Sequence, residues 1–242
     1  QERFDRIQQS MVRDLNNFRR EYPFRQVVAS LYSMLKGQWT PIQKANAVNQ
    51  LSMPELAAQV KDFTQNLKLK VLISGNHDRQ SAEKIIASLS SWTQLKAVQP
   101  QQTVAKLDLG EYRAQIPIDH SDAALMLYIQ GRSDTLEERA HMLLIGEMLS
   151  SPFYTSLRTE KQLGYVVAAF ASNHLRVPGI ALLVQSPTAD EQLLRSEFDQ
   201  FLNRYAEEVA SLNQADLKRY KTSVLSSLQE TPKNLAELNG RF

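Results

Sequence analysis

Apolar residues recur at helical spacing along most of the chain, and short strand-like apolar runs interrupt that pattern at a few places. Residues 1–22 carry an apolar stripe with charged residues on the other faces, which predicts one long amphipathic helix whose stripe faces a core. Further helices are predicted at residues 24–36, 41–48, 52–67, 80–92, 136–149, 190–212 and 213–230, and at a short segment from Asn234. Strands are predicted at residues 68–74, 123–130, 163–170 and 180–186, and residues 106–118 are weakly typical of a strand or hairpin arm.

Local signals refine three of these elements. Asp134 is predicted to cap the helix at 136–149, because its side chain can accept a backbone N–H at the helix start. The turn sequence at 176–179 predicts that the strands on either side of it form a hairpin. Residues 123–130 are apolar on both faces, so this strand is expected to lie centrally in its sheet.

The order of elements indicates an α+β fold in two parts. Each half of the chain contains a strand followed by a covering helix. Between them, residues 98–104 are polar and contain a proline, without any periodicity. We therefore predict a first domain at 1–97, a linker at 98–105 and a second domain at 106–242.

Composition narrows the function only a little. The chain has 242 residues, of which 43% are hydrophobic and 22% charged, and its formal charge is +2. This balance gives no electrostatic reason to expect nucleic acid or an anionic membrane as a partner. With no cysteine, the chain has no disulfide and no thiol nucleophile. Its first and last residues suggest a piece of a longer protein, so the lack of a signal peptide says nothing about that protein.

Metal and nucleotide chemistry have weak support in the sequence. The four histidines are far apart, and only Glu138 and His141 imitate part of a metal motif, so no metal site is predicted in this chain. His77 beside Asp78 is better explained as a solvated loop than as an acid/base pair. G-x-S-x-G, G-x-x-x-x-G-K and G-x-G-x-x-G motifs are absent.

The most informative stretch runs from residue 153 to residue 170. It begins with a helical pattern, passes through a polar connector ending at Gly164, and continues as a strand. Arg158 and Tyr165 flank this helix-to-strand corner, and both side chains donate hydrogen bonds, so together they can hold a peptide carbonyl or a developing oxyanion. The alternative is that Arg158 pairs with Glu160 or another carboxylate and that Tyr165 is a half-buried strand residue.

The sequence Arg158 to Tyr165, RTEKQLGY, resembles the R-T-x-x-Q-L-G-Y signature of the pitrilysin and insulin-degrading-enzyme family of zinc metallopeptidases, the inverzincins. The LNNFR stretch at 15–19 is also similar to a segment in the third domain of family members. The family's H-x-x-E-H zinc motif is absent from this chain. The resemblance thus implies part of the C-terminal half of such a peptidase, without the metal.

That resemblance implies a fold and a domain assignment. The fold would consist of two α/β sandwich units, each with helices packed on one face of a mainly antiparallel sheet. Residues 1–97 would be the C-terminal part of a third domain, and residues 106–242 the N-terminal part of a fourth, zinc-free domain.

It also implies a mechanism and partners. Arg158 would bind substrate carbonyls, Tyr165 would donate to the oxyanion, and Gln162 and Gly164 would line the substrate site. Zinc would lie in the N-terminal half of the parent protein, which would be this chain's partner together with peptide substrates, and a homodimer is possible. The parent would be periplasmic if it comes from a Gram-negative bacterium. Two alternatives remain: a non-catalytic scaffold or processing-partner subunit of the same fold, and an independent peptide-binding module.

Overall fold

The computed structural model describes residues 1–65, 71–91 and 103–241. Nine α-helices, one 3-10 helix, one π-helix and three strands occur in these ranges. In chain order they are α1 (Glu2–Asn17), the 3-10 helix (Phe18–Arg20), α2 (Pro23–Lys36), α3 (Pro41–Gln50), α4 (Met53–Gln65), α5 (Arg79–Ser91), β1 (Ala123–Gln130), α6 (Leu136–Tyr154), the π-helix (Thr155–Glu160), β2 (Val166–Ala171), β3 (Gly179–Ser186), α7 (Glu191–Ala210), α8 (Gln214–Gln229) and α9 (Leu235–Asn239).

The chain forms two compact units that do not follow sequence order. The first unit comprises Gln1–Val12, Asn46–Gln102 and Glu230–Phe242, and the second comprises Arg13–Ala45 and Thr103–Gln229. The predicted linker at 98–105 lies mostly outside the described residues. The assignment of the chain to parts of a third and a fourth domain stays a prediction.

The described residues of the first unit form helices and irregular segments, without a strand. Gln8 on α1 donates its amide to the carbonyls of Val48 and Leu51, at 2.7 Å each. No residue of α1 is fully buried, so its stripe is less enclosed than the predicted core-facing helix. The predicted strand at 68–74 is wrong for residues 71–74, which have irregular backbone, and its first three residues lie outside the described residues.

The second unit contains an antiparallel sheet with the strand order β1-β3-β2. β2 and β3 form the predicted hairpin, with Val167 opposite Val184, and β1 pairs with the other side of β3. All eight residues of β3 are buried. The predicted α+β class with an antiparallel sheet is confirmed.

Helices cover both faces of this sheet. On one face, Leu182 and Val184 of β3 pack with side chains of α6 and α7 in the main hydrophobic cluster. On the other face, α2 contacts β1 and β3, and the Phe24 N–H donates to the Gln185 side chain at 3.0 Å.

The central position predicted for β1 is wrong, because β1 is an edge strand in the order β1-β3-β2. Its apolar character on both faces reflects the two helical layers, not a neighbouring strand on each side.

Two local predictions also need correction. The segment at 106–118 contains no strand. Near its start, the Leu107 N–H bonds to the side chain of Gln130 rather than to another backbone. The N-cap of α6 is Thr135 rather than Asp134, since the Thr135 hydroxyl accepts the Glu138 N–H at 3.2 Å. Asp134 lies one residue too early and is 3.8 Å from Arg176.

Candidate functional site

The predicted signature folds as a helix, a tight corner and a strand. α6 runs through Pro152 to Tyr154, and the chain then continues as a π-helix to Glu160. Phe153 and Leu157 are fully buried in the main cluster and fix this end of the helix on the sheet. A π-helix adds a residue to each turn, and such turns occur frequently at functional sites. Arg158 follows Leu157 directly and is exposed.

Arg158 stabilises the helix-to-strand corner through a hydrogen bond to a backbone carbonyl. Its Nη1 donates to the carbonyl of Gly164 at 2.7 Å, and the Leu163 N–H donates to the carbonyl of Leu157 at 2.9 Å. Gln162 has a φ of +52°, in the left-handed region that few non-glycine residues adopt. The alternative pairing with Glu160 does not occur among the described residues. The guanidinium charge therefore stays at the surface while one of its N–H groups holds the turn.

Arg158 and Gln162 line the same shallow depression, together with Tyr154 and Thr159. These two predicted substrate-binding residues are thus brought together at the surface. Gly164 is buried beneath them and offers its carbonyl to Arg158. Their roles in binding substrate stay predictions.

Gly164 is required by close packing of two backbones. A Cβ at this position would lie 2.4 Å from the Gln185 carbonyl oxygen and 2.8 Å from a methyl group of Val184. The first contact is with the backbone of the central strand and cannot be relieved by turning a side chain, and the second is with a fully buried valine. The glycine therefore lets the corner pass directly against β3.

Replacing Gly164 with alanine should move the corner away from β3 and destabilise the second unit by about 1–3 kcal/mol, the usual cost of overpacking. Chemical denaturation followed by circular dichroism measures this loss. Gly240→Ala is the control for an added methyl group, because its backbone is not in the left-handed region and the nearest atoms would lie 3.5 Å or more from the new Cβ. If Gly164→Ala proved as stable as the parent chain, the close approach to β3 would be wrong.

Tyr165 takes part in a polar cluster at one end of the sheet. Its side chain is at the surface, with 44% of the residue exposed. The phenol donates to Oδ2 of Asp122 at 2.7 Å and accepts a hydrogen bond from Nε2 of Gln185, which also donates to Asp122 at 2.9 Å. Asp122 immediately precedes β1, Tyr165 immediately precedes β2, and Gln185 is near the end of β3. Antiparallel pairing brings these three positions to the same end of the sheet.

The charges in this cluster follow from its hydrogen bonds. Donation from Gln185 and from Tyr165 holds the pKa of Asp122 below its ordinary value, so the group is a carboxylate at neutral pH. The same carboxylate raises the pKa of Tyr165 to about 12, with burial as a smaller cause. The phenol is therefore a neutral donor throughout the physiological range.

His120 borders the cluster. Its Nδ1 accepts the Asp122 N–H at 3.0 Å. The same Nδ1 is 3.8 Å from the Asp122 carboxylate. The other side of the ring faces Tyr22, with ring centroids 6.1 Å apart.

Sequence reasoning identified Arg158 and Tyr165 but missed Asp122 and Gln185. The one available signal for Gln185 was a polar residue inside the apolar strand IALLVQS, where a buried amide needs partners. Asp122 had no such signal, because an acid between a histidine and a strand looks like an ordinary turn residue.

The other candidate groups have local structural roles. Glu138 accepts the Arg132 N–H at 2.8 Å, and Asp78 accepts the Ser81 N–H at 2.7 Å at the start of α5. Within the described ranges, no three His, Asp or Glu side chains are grouped as metal ligands would be. The residues present there do not fit zinc. Nor does any helix in those ranges have the length and apolar character needed to span a membrane.

Comparisons with known proteins extend the signature match. A model of the PQQ synthase PqqF-like family, C-terminal lobe domain 4, matches residues 144–242. Over 100% of the chain, the sequence is 24% identical to the insulin-degrading enzyme of Drosophila melanogaster, and it spans 26% of that relative's length.

Solved structures agree on the fold. The crystal structure of pitrilysin is similar with a TM-score of 0.78 at 17% identity, over 98% of this chain and 26% of pitrilysin. A peptidase M16 inactive domain from Pseudomonas fluorescens is similar with a TM-score of 0.55 at 16% identity, over 95% of this chain and 57% of that one. With the signature at Arg158–Tyr165, these matches show that the chain has the fold of, and is similar in sequence to, a C-terminal portion of peptidases of the pitrilysin and insulin-degrading-enzyme family, and the chain lacks that family's zinc motif.

Proposed function

We propose that this chain is the non-catalytic C-terminal portion of a zinc-dependent oligopeptidase, in which it closes the peptide chamber and supplies donors to a scissile bond held by the N-terminal half. The observation that carries this proposal is the placement of Arg158 and Tyr165 at either end of one rigid corner. The proposal assigns zinc and its water to the N-terminal half, and the described residues of this chain contain no group of His, Asp or Glu side chains arranged as metal ligands.

Arg158 suits the binding of a substrate backbone. A guanidinium has five N–H donors and keeps its charge at any ordinary pH. In this structure one of them holds the Gly164 carbonyl, which fixes the side chain at the rim of the depression. The remaining donors are at the surface, where a peptide carbonyl or carboxylate can reach them.

Tyr165 suits the stabilisation of an oxyanion. A phenol with a pKa near 12 keeps its proton at neutral pH and donates a hydrogen bond without transferring the proton. It lies immediately before β2, and its backbone is held against β3 because the Tyr165 N–H donates to the Gln185 carbonyl at 3.2 Å. A donor on a fixed backbone loses little freedom when it meets the developing charge.

The proposal predicts that this chain alone, folded and supplied with zinc, hydrolyses no peptide. The complete protein should cleave peptides and lose activity when a chelator removes its zinc. Fluorogenic peptide hydrolysis measures both, with circular dichroism to show that the chain is folded.

Zinc-dependent cleavage by the chain alone would contradict the proposal. If the complete protein bound no zinc and cleaved nothing, the scaffold alternative would replace it. That alternative draws some support from the similarity to a structure described as an inactive domain.

A further inference from the structure

The hydrogen-bond arrangement around Tyr165 conflicts with immediate use of its phenol as a donor. A phenol has one proton, and here that proton is donated to Asp122 at 2.7 Å. The phenol oxygen also accepts from Gln185. Both hydrogen-bonding functions of the phenol are thus satisfied within the chain, and none is left for a substrate oxygen.

Gln185 makes this arrangement rigid. Its side chain is fully buried, and its Oε1 accepts the Phe24 N–H at 3.0 Å. Because Oε1 is committed to a backbone donor, the two hydrogens on Nε2 must point toward Asp122 and Tyr165. α2 therefore fixes the orientation of the amide, and the amide fixes the carboxylate and the phenol.

Asp122 is a strong competitor for the phenol proton. Only 10% of its side chain is exposed, so water does little to weaken its hydrogen bonds. An ionised acceptor forms shorter and stronger hydrogen bonds than a neutral carbonyl. A ground-state peptide carbonyl is neutral, so its hydrogen bond to the phenol would be weaker than the one to Asp122. An oxyanion is charged and can replace Asp122 as the acceptor.

We infer that Asp122 and Gln185 are positioning residues that latch Tyr165 in a resting state, and that the phenol exchanges Asp122 for the substrate oxygen only as negative charge develops there. This inference rests on the proposed function, since it concerns the same phenol. It adds two residues to the site, one immediately before β1 and one on β3. It also makes Tyr165 selective for the charged state of the substrate over its ground state, so the phenol contributes nothing to ground-state binding.

Asp122→Asn in the complete protein tests the latch, because it keeps the shape and removes the charge. We expect the pKa of Tyr165 to fall by about one unit or more, toward the ordinary value of a phenol. Fluorine NMR measures this with 3-fluorotyrosine placed only at position 165, by comparing titrations with and without Asp122→Asn. Tyr22 is the other titratable side chain that raises the Tyr165 pKa, so Tyr22→Phe is made in both backgrounds.

The same variant should raise kcat/KM for peptide cleavage by about 3- to 10-fold, since freeing the phenol enlarges the population that is ready to donate. The rise should vanish in the double variant with Tyr165→Phe. Asp119→Asn is the matched control: this exposed acid, three residues earlier, is 3.4 Å from Arg20 and should change neither readout. Asp122→Ser replaces Asp122→Asn if the latter fails to fold.

Each outcome decides the inference. An unchanged pKa of Tyr165 would overturn it, and so would a kcat/KM that does not rise in Asp122→Asn; a loss as large as that of Tyr165→Phe would make Asp122 a required support. If Tyr165→Phe itself leaves cleavage unchanged, the proposed function fails. In that case the pKa of Tyr165 in Asp122→Asn still tests separately whether the phenol donates its hydrogen bond to Asp122.

Discussion

Replacing Tyr165 with phenylalanine in the complete protein should lower kcat for peptide hydrolysis by about 10²–10³-fold, the usual cost of removing one oxyanion donor. KM should change much less, because the lost hydrogen bond is made to charge that develops in the transition state. Zinc content should stay the same, since no described residue of this chain is arranged to bind the metal. Steady-state kinetics and metal analysis on one preparation check all three quantities.

Tyr112→Phe is the control, since this tyrosine is exposed in the irregular segment before β1. Tyr165→Phe also leaves Asp122 with one donor fewer, which should cost about 1–2 kcal/mol of stability. Thermal unfolding must therefore show that the variant is folded at the assay temperature. A fall in kcat that tracks lost zinc or lost folded protein would remove Tyr165 from the proposed chemistry.

The corner itself was predictable from sequence, because its signals are local. Helical periodicity ended near residue 158, glycine followed at 164, and β-branched and aromatic residues began a strand. The structure has this order, with the helix prolonged by a π-helical turn that no periodicity signalled. The resemblance to the family then attached roles to Arg158 and Tyr165 that no local pattern contained.

The environment of Tyr165 could not be predicted in the same way. Its two partners are 43 and 20 residues away in the sequence and reach it only through strand pairing. A one-residue change in register would turn Gln185 to the other face of the sheet. Register depends on how β1, β2 and β3 align, and the hydrophobic pattern of a single strand does not contain that information.

The error over β1 has a related cause. An apolar strand was interpreted as a central strand, whereas the structure has it at the edge with helices over both faces of the sheet. Burial of side chains and pairing of backbone groups are different properties, and sequence hydrophobicity reports only the first. Sequence also gave no reason to place α2 on the second unit, because about 90 residues separate it from the sheet it covers.

The fully buried Phe153 should be the most damaging position to truncate, and Phe153→Ala should lower the free energy of unfolding by about 3–5 kcal/mol. Its ring makes edge-to-face contacts with Phe198 and Phe201 of α7, at 5.2 Å between centroids in each case. Removing it leaves a cavity between α6, α7 and the sheet that these rigid elements cannot close. Urea denaturation followed by circular dichroism measures the loss.

Phe170→Ala provides the matched comparison, because this phenylalanine lies on β2 of the same unit with 40% of its surface exposed, and should cost no more than about 1–2 kcal/mol. Phe153→Leu should recover more than half of the loss, since leucine refills most of the cavity. Equal losses for Phe153→Ala and Phe170→Ala would place the core elsewhere. Since Phe153 lies five residues before Arg158 and anchors the turn that carries it, its truncation should also disorder the corner and reduce cleavage even at temperatures where the second unit stays folded.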